Sequence, residues 1–327
     1  MEFTRTLPKE LVHRAAVAEV FLTDAERRSR SEVLLAAQFP RLHAFHDDTL
    51  DPRPCLDPLL LLEACRQGIF VVAHRYLDVP ADHRFLLRSA EFEVPDPSVL
   101  ATGTAPAEAV IAARIEQRFH DRTGPAGLRL RFTATIGARR ALLARIAYSW
   151  MHPDRYSRLR CGQREALGLF GPPVALPGPH AEPAVVGRRN PANTVISPPY
   201  ASADGTRTAR LVAETGHPTL FDHWVDHVPG MLELEAFRQL AVTAAVAAGT
   251  VATATALPVG LAARFRRFAE MDLPLRCRTE PVAPGGEIAC SLHQPGALVA
   301  DARIRLADRA PVAFAAASAG PGAVGCA

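Results

Sequence analysis

Apolar residues crowd two stretches of the chain at helical spacing. At 3.6 residues per turn, Leu59, Glu63, Arg66, Gln67 and Phe70 share one face, as do Met231, Glu235, Arg238, Gln239 and Val242, and the flanks of both stretches are apolar too. A helix apolar nearly all round is a buried helix. The pattern therefore predicts one buried helix from residue 58 to about 75 and another from 230 to about 248. Shorter stretches rich in strand-forming residues follow the first, at 85–94, 109–119, 127–136 and 141–150. A matching set follows the second, at 260–268, 273–280, 287–293 and 297–306. Residues 12–22 and 186–196 read as the strand that opens each set, with the polar run 24–32 as a loop. Long helices embedded among antiparallel strands indicate an α+β chain.

The two sets are copies. Glu63-Ala64-Cys65-Arg66-Gln67 returns 172 residues later as Glu235-Ala236-Phe237-Arg238-Gln239. Ahead of the helices the offset is 174, which aligns Arg14 with Arg188 and Glu19 with Asn193. A Pro/Gly-rich stretch separates the copies, so the expected division is a first repeat over residues 1–160, a linker over 161–184 and a second repeat over 185–327. Asp57-Pro58 reads as an N-cap and first helical position for the first helix, and Pro229-Gly230 leads into the second.

A carboxylate and a guanidinium on a buried helix cost several kcal/mol per ion unless something satisfies them. Two readings compete. In one, Glu63 with Arg66 and Glu235 with Arg238 form ion pairs that fix the packing of the halves. In the other, a helix N-terminus offers donors to an oxyanion, while the Glu acts as a base or orienter in a partly dry cleft. The stretch from Phe221 to Gly230, with His223, His227, Asp222 and Asp226, favours the second.

Composition narrows the classes. The chain has 37 Lys+Arg and 34 Asp+Glu residues, and its only lysine is Lys9. Its Arg richness follows a general bias in usage and is no sign of phosphate or nucleic-acid binding; a net charge of +3 without basic clusters argues against a nucleic-acid partner. Cys55, Cys65, Cys161, Cys277, Cys290 and Cys326 show no metal-ligand spacing and read as free thiols, so no metal is expected. No apolar run reaches membrane-spanning length, no apolar signal segment opens the chain, and the expected location is the cytoplasm.

Three segments carry a resemblance: Val12-His13-Arg14 with residues 19–24, Glu63 through Gln67, and Phe221-Asp222-His223 through Gln239. Together they resemble the A-factor biosynthesis hotdog proteins, which make γ-butyrolactone and related butenolide or furan signals. The resemblance implies a double hotdog, two repeats each with a long helix wrapped by an antiparallel sheet, mimicking a homodimer; whether this pseudodimer is itself the complete unit stays open. The second helix is also similar to that of hotdog dehydratases, which implies His223 as catalytic histidine, Gly230 as oxyanion donor and Glu235 as catalytic carboxylate. His217 or His227 is an alternative for the histidine. Pro58 and His46 depart from the pattern in the first half, which implies one competent site formed mostly around the second helix, with His223 facing either Glu235 or, across the halves, Glu63.

The family implies transfer of a β-ketoacyl group from an acyl carrier protein to the hydroxyl of dihydroxyacetone phosphate, with no cofactor. The roles implied are Glu235 or Glu63 as base, His223 as orienter or acid, and Arg238 and Arg66 as contacts to phosphate or phosphopantetheine. Gln239, Gln67 and Arg14 complete the expected substrate contacts. Plainer roles compete: Arg14 and Arg188 as solvated surface residues, His13 as a packed strand residue, Asp226 with His227 as a helix cap, and His74 and His83 as residues favoured by the helix dipole. A dehydratase or thioesterase on the same fold, or a non-catalytic acyl- or lactone-binding protein, are the alternative functions.

Overall fold

The computed structural model describes residues 1–122, 124–282 and 286–308. Cys326 lies outside the described residues, as does the end of the expected second repeat. Each apolar stretch is a buried helix: α1 spans Pro58–Tyr76 and α3 spans Gly230–Ala247, with the shorter α2 at Pro153–Ala166 between them. Asp57 caps α1 by accepting the Leu59 N–H at 2.8 Å, and Pro58 holds its first position, where a missing N–H costs nothing.

Among the described residues twelve strands form one antiparallel sheet. The first half supplies β1 (Leu22–Arg27), β2 (Glu32–Phe39), β3 (Arg84–Glu93), β4 (Ala107–Asp121), β5 (Gly124–Ile136) and β6 (Arg139–Met151). The second supplies β7 (Tyr200–Ala201), β8 (Arg207–Arg210), β9 (Leu257–Phe265), β10 (Arg276–Thr279), β11 (Ile288–Gln294) and β12 (Ala297–Ala307). The halves meet where β3 pairs with β9, from Ser89 opposite Arg264 to Glu93 opposite Gly260. Outward from that seam the order is β3-β6-β5-β4-β2-β1 on one side and β9-β12-β11-β10-β8-β7 on the other. The same order on both sides is a double hotdog. Close approach of helix to sheet is steric at Gly68, where an added Cβ would lie 2.5 Å from Leu35 Cδ1.

The expected opening strands are absent. In their place stand two short 3₁₀ turns, Lys9–Val12 and Val17–Glu19; β1 begins only at Leu22 and runs on into the stretch expected as a loop, and turns at Pro183–Val186 and Pro191–Asn193 repeat the arrangement. Backbone groups of the expected strands are satisfied by side chains instead of a neighbouring strand: Phe21 N–H donates to Gln67 Oε1 at 3.0 Å, and Val195 N–H to Gln239 Oε1 at 2.9 Å. The expected linker also begins inside an element, since α2 runs across residue 161. Arg160 and Arg164 on α2 are buried against Asp226, Glu270 and Asp272, which ties this helix to the second half.

Candidate active site

The halves exchange their supports. Asp222 accepts the backbone N–H groups of Ala15 and Ala16 at 2.6 and 3.0 Å, and Asp48, 174 residues earlier, accepts those of Arg189 and Asn190 at 3.2 and 3.0 Å. Arg14 Nη1 donates to the Thr219 carbonyl and Arg188 Nη1 to that of Phe45, again across the halves. His43 and His217 fold the two supporting loops in the same way, each Nδ1 accepting two backbone N–H groups. Each helix therefore faces a loop of the opposite repeat.

Arg14 and Arg188 are not surface residues. Arg14 lies 2.5 Å from Glu63 and Arg188 lies 2.8 Å from Glu235, and each glutamate also pairs within its helix, Glu63 with Arg66 and Glu235 with Arg238, both at 2.6 Å. Gln67 and Gln239 donate to these carboxylates and to the carbonyls of Glu19 and Asn193. Expected as substrate contacts, both glutamines are fully buried and engaged in holding the chain entering each half.

The two equivalent places differ in what surrounds them. Beside Glu63 lies an open cleft of about 680 Å³, lined among others by Arg66, His13, Arg84, His223, Gly230 and Met231. Beside Glu235 the corresponding space is about 30 Å³. Arg238 seals it by bonding Asp57 as well as Glu235, so both ends of its guanidinium are occupied. Arg66 Nη1, by contrast, has no partner among the described residues. Of the two arrangements expected for His223, the cleft has the geometry of the one across the halves: Glu235 and Arg238 lie outside it, and His223 and Gly230 face the side of Arg66 and Glu63.

Charge follows the same division. Glu63 is paired with two guanidinium groups, and although its burial opposes ionisation, Arg14 and Arg66 hold its carboxyl well below the usual range. It is therefore a poor base and a rigid anchor. Glu235 shares Arg238 with Asp57, and burial dominates, pushing its carboxyl up to about 7.

The N-termini of the helices differ as well. Asp57 fills the end of α1, whereas α3 starts at Pro229, with no side-chain cap, and opens its first turn to the cleft. Uncapped N–H groups at a helix start are ready donors for an oxyanion. Asp226 does not cap α3: it accepts from Tyr156, Arg160 and His227 and fastens the loop to α2.

Four histidines line this cleft, His13, His83, His223 and His227, and the partners of the first and third bear on their tautomers. His223 Nδ1 lies 3.4 Å from Asp222 Oδ2, and because an ionised carboxylate only accepts, Nδ1 carries the proton and Nε2 is left as a base. Burial lowers the His223 pKa, and Arg14 and Arg66 lower it further, against the raising effect of Asp222. His13 sits in left-handed backbone at φ 54°, stacked on Phe70 at 4.3 Å. Its Nε2 lies 2.8 Å from His74 Nε2, and His74 Nδ1 lies 2.7 Å from the Val79 carbonyl. A carbonyl only accepts, so His74 Nδ1 carries a proton; where His74 Nε2 is bare it takes a hydrogen bond from His13 Nε2–H, which leaves His13 Nδ1 as an acceptor. Burial, with His74 and Arg66, drives His13 down to about 3, so it stays neutral. His13 is not a strand residue: it ends the Lys9–Val12 turn and lines the cleft. Arg84 was not singled out in the sequence, because in an Arg-rich chain nothing local distinguishes it.

Known proteins agree with this architecture. A model of the A-factor biosynthesis hotdog domain matches residues 1–151 and 176–307. A 2-oxo-3-(phosphooxy)propyl 3-oxoalkanoate synthase of Streptomyces virginiae is 35% identical over 282 residues, covering 85% of this chain and 88% of its own. One of Streptomyces griseus is 33% identical over 265 residues, covering 81% and 82%. Among solved structures, the dehydratase domain from the CurF module of curacin polyketide synthase superposes with a TM-score of 0.50 at 9% identity, covering 88% of this chain and 98% of its own. The pyran synthase domain from module nine of the sorangicin pathway also scores 0.50, at 13% identity, covering 89% and 98%. These two show the hotdog fold alone. Among the described residues no helix is long and apolar enough to cross a membrane. The chain belongs to the A-factor biosynthesis hotdog domain family and is an enzyme of its acyl-transferring class.

Proposed function

We propose that the cleft transfers a β-ketoacyl group from an acyl-carrier-protein thioester to the hydroxyl of dihydroxyacetone phosphate, forming the ester precursor of γ-butyrolactone, butenolide or furan signals in the cytoplasm. The observation that carries this reading is the convergence in one cleft of a bare histidine base, an uncapped helix N-terminus and a guanidinium with a free edge. The names of the synthase relatives support the choice of triose phosphate and 3-oxoacyl group.

His223 Nε2 takes the hydroxyl proton as the oxygen attacks the thioester carbon. The Gly230 and Met231 N–H groups receive the oxyanion. As the tetrahedral intermediate collapses, the C–S bond breaks and the proton passes from His223 to the departing thiolate, leaving the new C–O ester bond. Arg66 and Arg84 bind the phosphate, with Arg66 held in place by Glu63 and Arg14. His13 Nδ1 accepts a hydrogen bond from the substrate and orients it. Glu235, Arg188 and Arg238 form the sealed counterpart and carry structure only.

Incubation of the protein with a 3-oxoacyl thioester, with and without dihydroxyacetone phosphate, tests this by mass spectrometry. A phosphorylated ester formed only with the triose is expected. Release of free 3-oxo acid at the same rate in both mixtures would replace transfer by thioester hydrolysis.

A further inference from the structure

A second cavity of about 320 Å³ adjoins the cleft and shares Phe85, Leu86, Leu87, His227 and Gly230 with it. Its other walls combine Leu159, Val228, Phe265 and Phe268 with the polar Arg88, Gln163, Arg266 and Arg267, and among them stands one carboxyl group, that of Glu233. Glu233 is 3% exposed, and its Oε2 is buried with no hydrogen-bond partner. Nothing in the mechanism above uses it. A buried carboxyl without a partner is costly, and cores rarely keep one unless a ligand completes it.

Glu233 follows Gly230 by three residues in the first turn of α3, so the two lie on one face of the helix as near neighbours. An acyl group whose C1 oxygen rests on the Gly230 N–H therefore presents its next few carbons to Glu233. In a 3-oxoacyl donor those carbons bear one oxygen, on C3. We propose that Glu233 hydrogen-bonds the 3-oxo oxygen of the acyl donor and so selects 3-oxoacyl over saturated acyl groups, an inference that rests on the acyl-transfer reading of the cleft. Burial drives the Glu233 carboxyl well above its ordinary range, which favours its O–H form, a donor suited to a ketone oxygen and hostile to a carboxylate, although Arg88, Arg266 and Arg267 also line the cavity. The apolar walls then take the chain beyond C3. Saturated donors leave Glu233 unsatisfied in that cavity, and a site built to hydrogen-bond a substrate oxygen discriminates strongly against an analogue lacking it.

The test compares kcat/KM for a 3-oxoacyl pantetheine thioester and the saturated thioester of equal length, in the wild type, Glu233→Gln and Glu233→Leu. The wild type is expected to favour the 3-oxo donor by at least about 100-fold, Gln to keep most of that ratio through its N–H, and Leu to lower it at least about tenfold. A ratio unchanged in Glu233→Leu, or equal losses with both donors in a folded variant, would overturn the proposal. If the wild type transfers neither donor to dihydroxyacetone phosphate, the transfer reading fails. The affinities of the two corresponding non-hydrolysable pantetheine amides, measured calorimetrically, then read Glu233 alone: a preference lost in Glu233→Leu supports it, and equal affinities in the wild type overturn it.

Discussion

Asp222 accepts the Ala15 backbone N–H at 2.6 Å, so the residue that orients His223 is itself held by the opposite half of the chain. Its carboxylate is almost fully buried while the His223 side chain is 46% exposed, the arrangement of a fixed support and an accessible base. Asp222→Ala removes both the orienting oxygen and the anchor for residues 15 and 16. Loss of orientation at a reacting group costs on the order of 100-fold, so kcat should fall by about that factor with a smaller change in KM for the triose. A folded variant with wild-type kcat would dismiss the dyad.

Gly230→Pro writes the first helix's Pro58 into the second. Pro229 is already extended, at φ −62° and ψ 141°, and proline is tolerated at a helix's first position, so α3 should persist by circular dichroism. The lost N–H removes an oxyanion donor, for which a drop in kcat of about 100- to 1,000-fold is expected. Gly230→Ala separates sterics from donation, since its Cβ would meet Leu87 Cδ2 at 3.1 Å yet keeps the N–H. Equal losses in the two variants would mean that packing, and not the donor, matters at this position.

Glu63→Ala should act on stability before activity. It leaves Arg14, with a side chain 6% exposed, and Arg66 without their shared carboxylate. Breaking a buried pair by removing one partner costs about 3–5 kcal/mol, readable as a lowered urea midpoint. An unchanged midpoint would show that water or rearrangement satisfies both cations.

The Glu235 carboxyl, raised to about 7 from an ordinary value of 4.5, has the opposite pH signature to a stabilising carboxylate. Between these values the folded state binds the proton that the unfolded state has released. This contribution is therefore present in full below about pH 4.5 and is lost as pH rises towards and through 7. Glu235→Gln stays neutral throughout. Its stability relative to wild type should therefore improve from pH 5 to pH 8, and a difference independent of pH would show that Glu235 is already ionised at pH 5.

The helices were legible because each needed only local information: apolar residues all round, Asp57 and Pro58 at one start and Pro229 and Gly230 at the other. The 174-residue alignment of Arg14 with Arg188 was legible as well, though their burial was not. A guanidinium looks the same in sequence whether its partner is water or Glu63. Residues 12–22 misled for a related reason. Their apolar content suits a strand, yet Gln67 and Asp222 supply the hydrogen bonds that a strand neighbour would have made.

Duplication was determined by the sequence alone, because a repeat is a property of spacing; the double hotdog was what the family resemblance implied, and the pairing of Glu63 with Arg66 and Glu235 with Arg238 was one of two readings that the helical spacing allowed. Which of the two equivalent places is open was decided only by tertiary structure. Arg238 reaches Asp57 across 181 residues and closes one, while Arg66 meets no such carboxylate among the described residues and leaves the other open. That choice rests on contacts between the halves, which no local periodicity records.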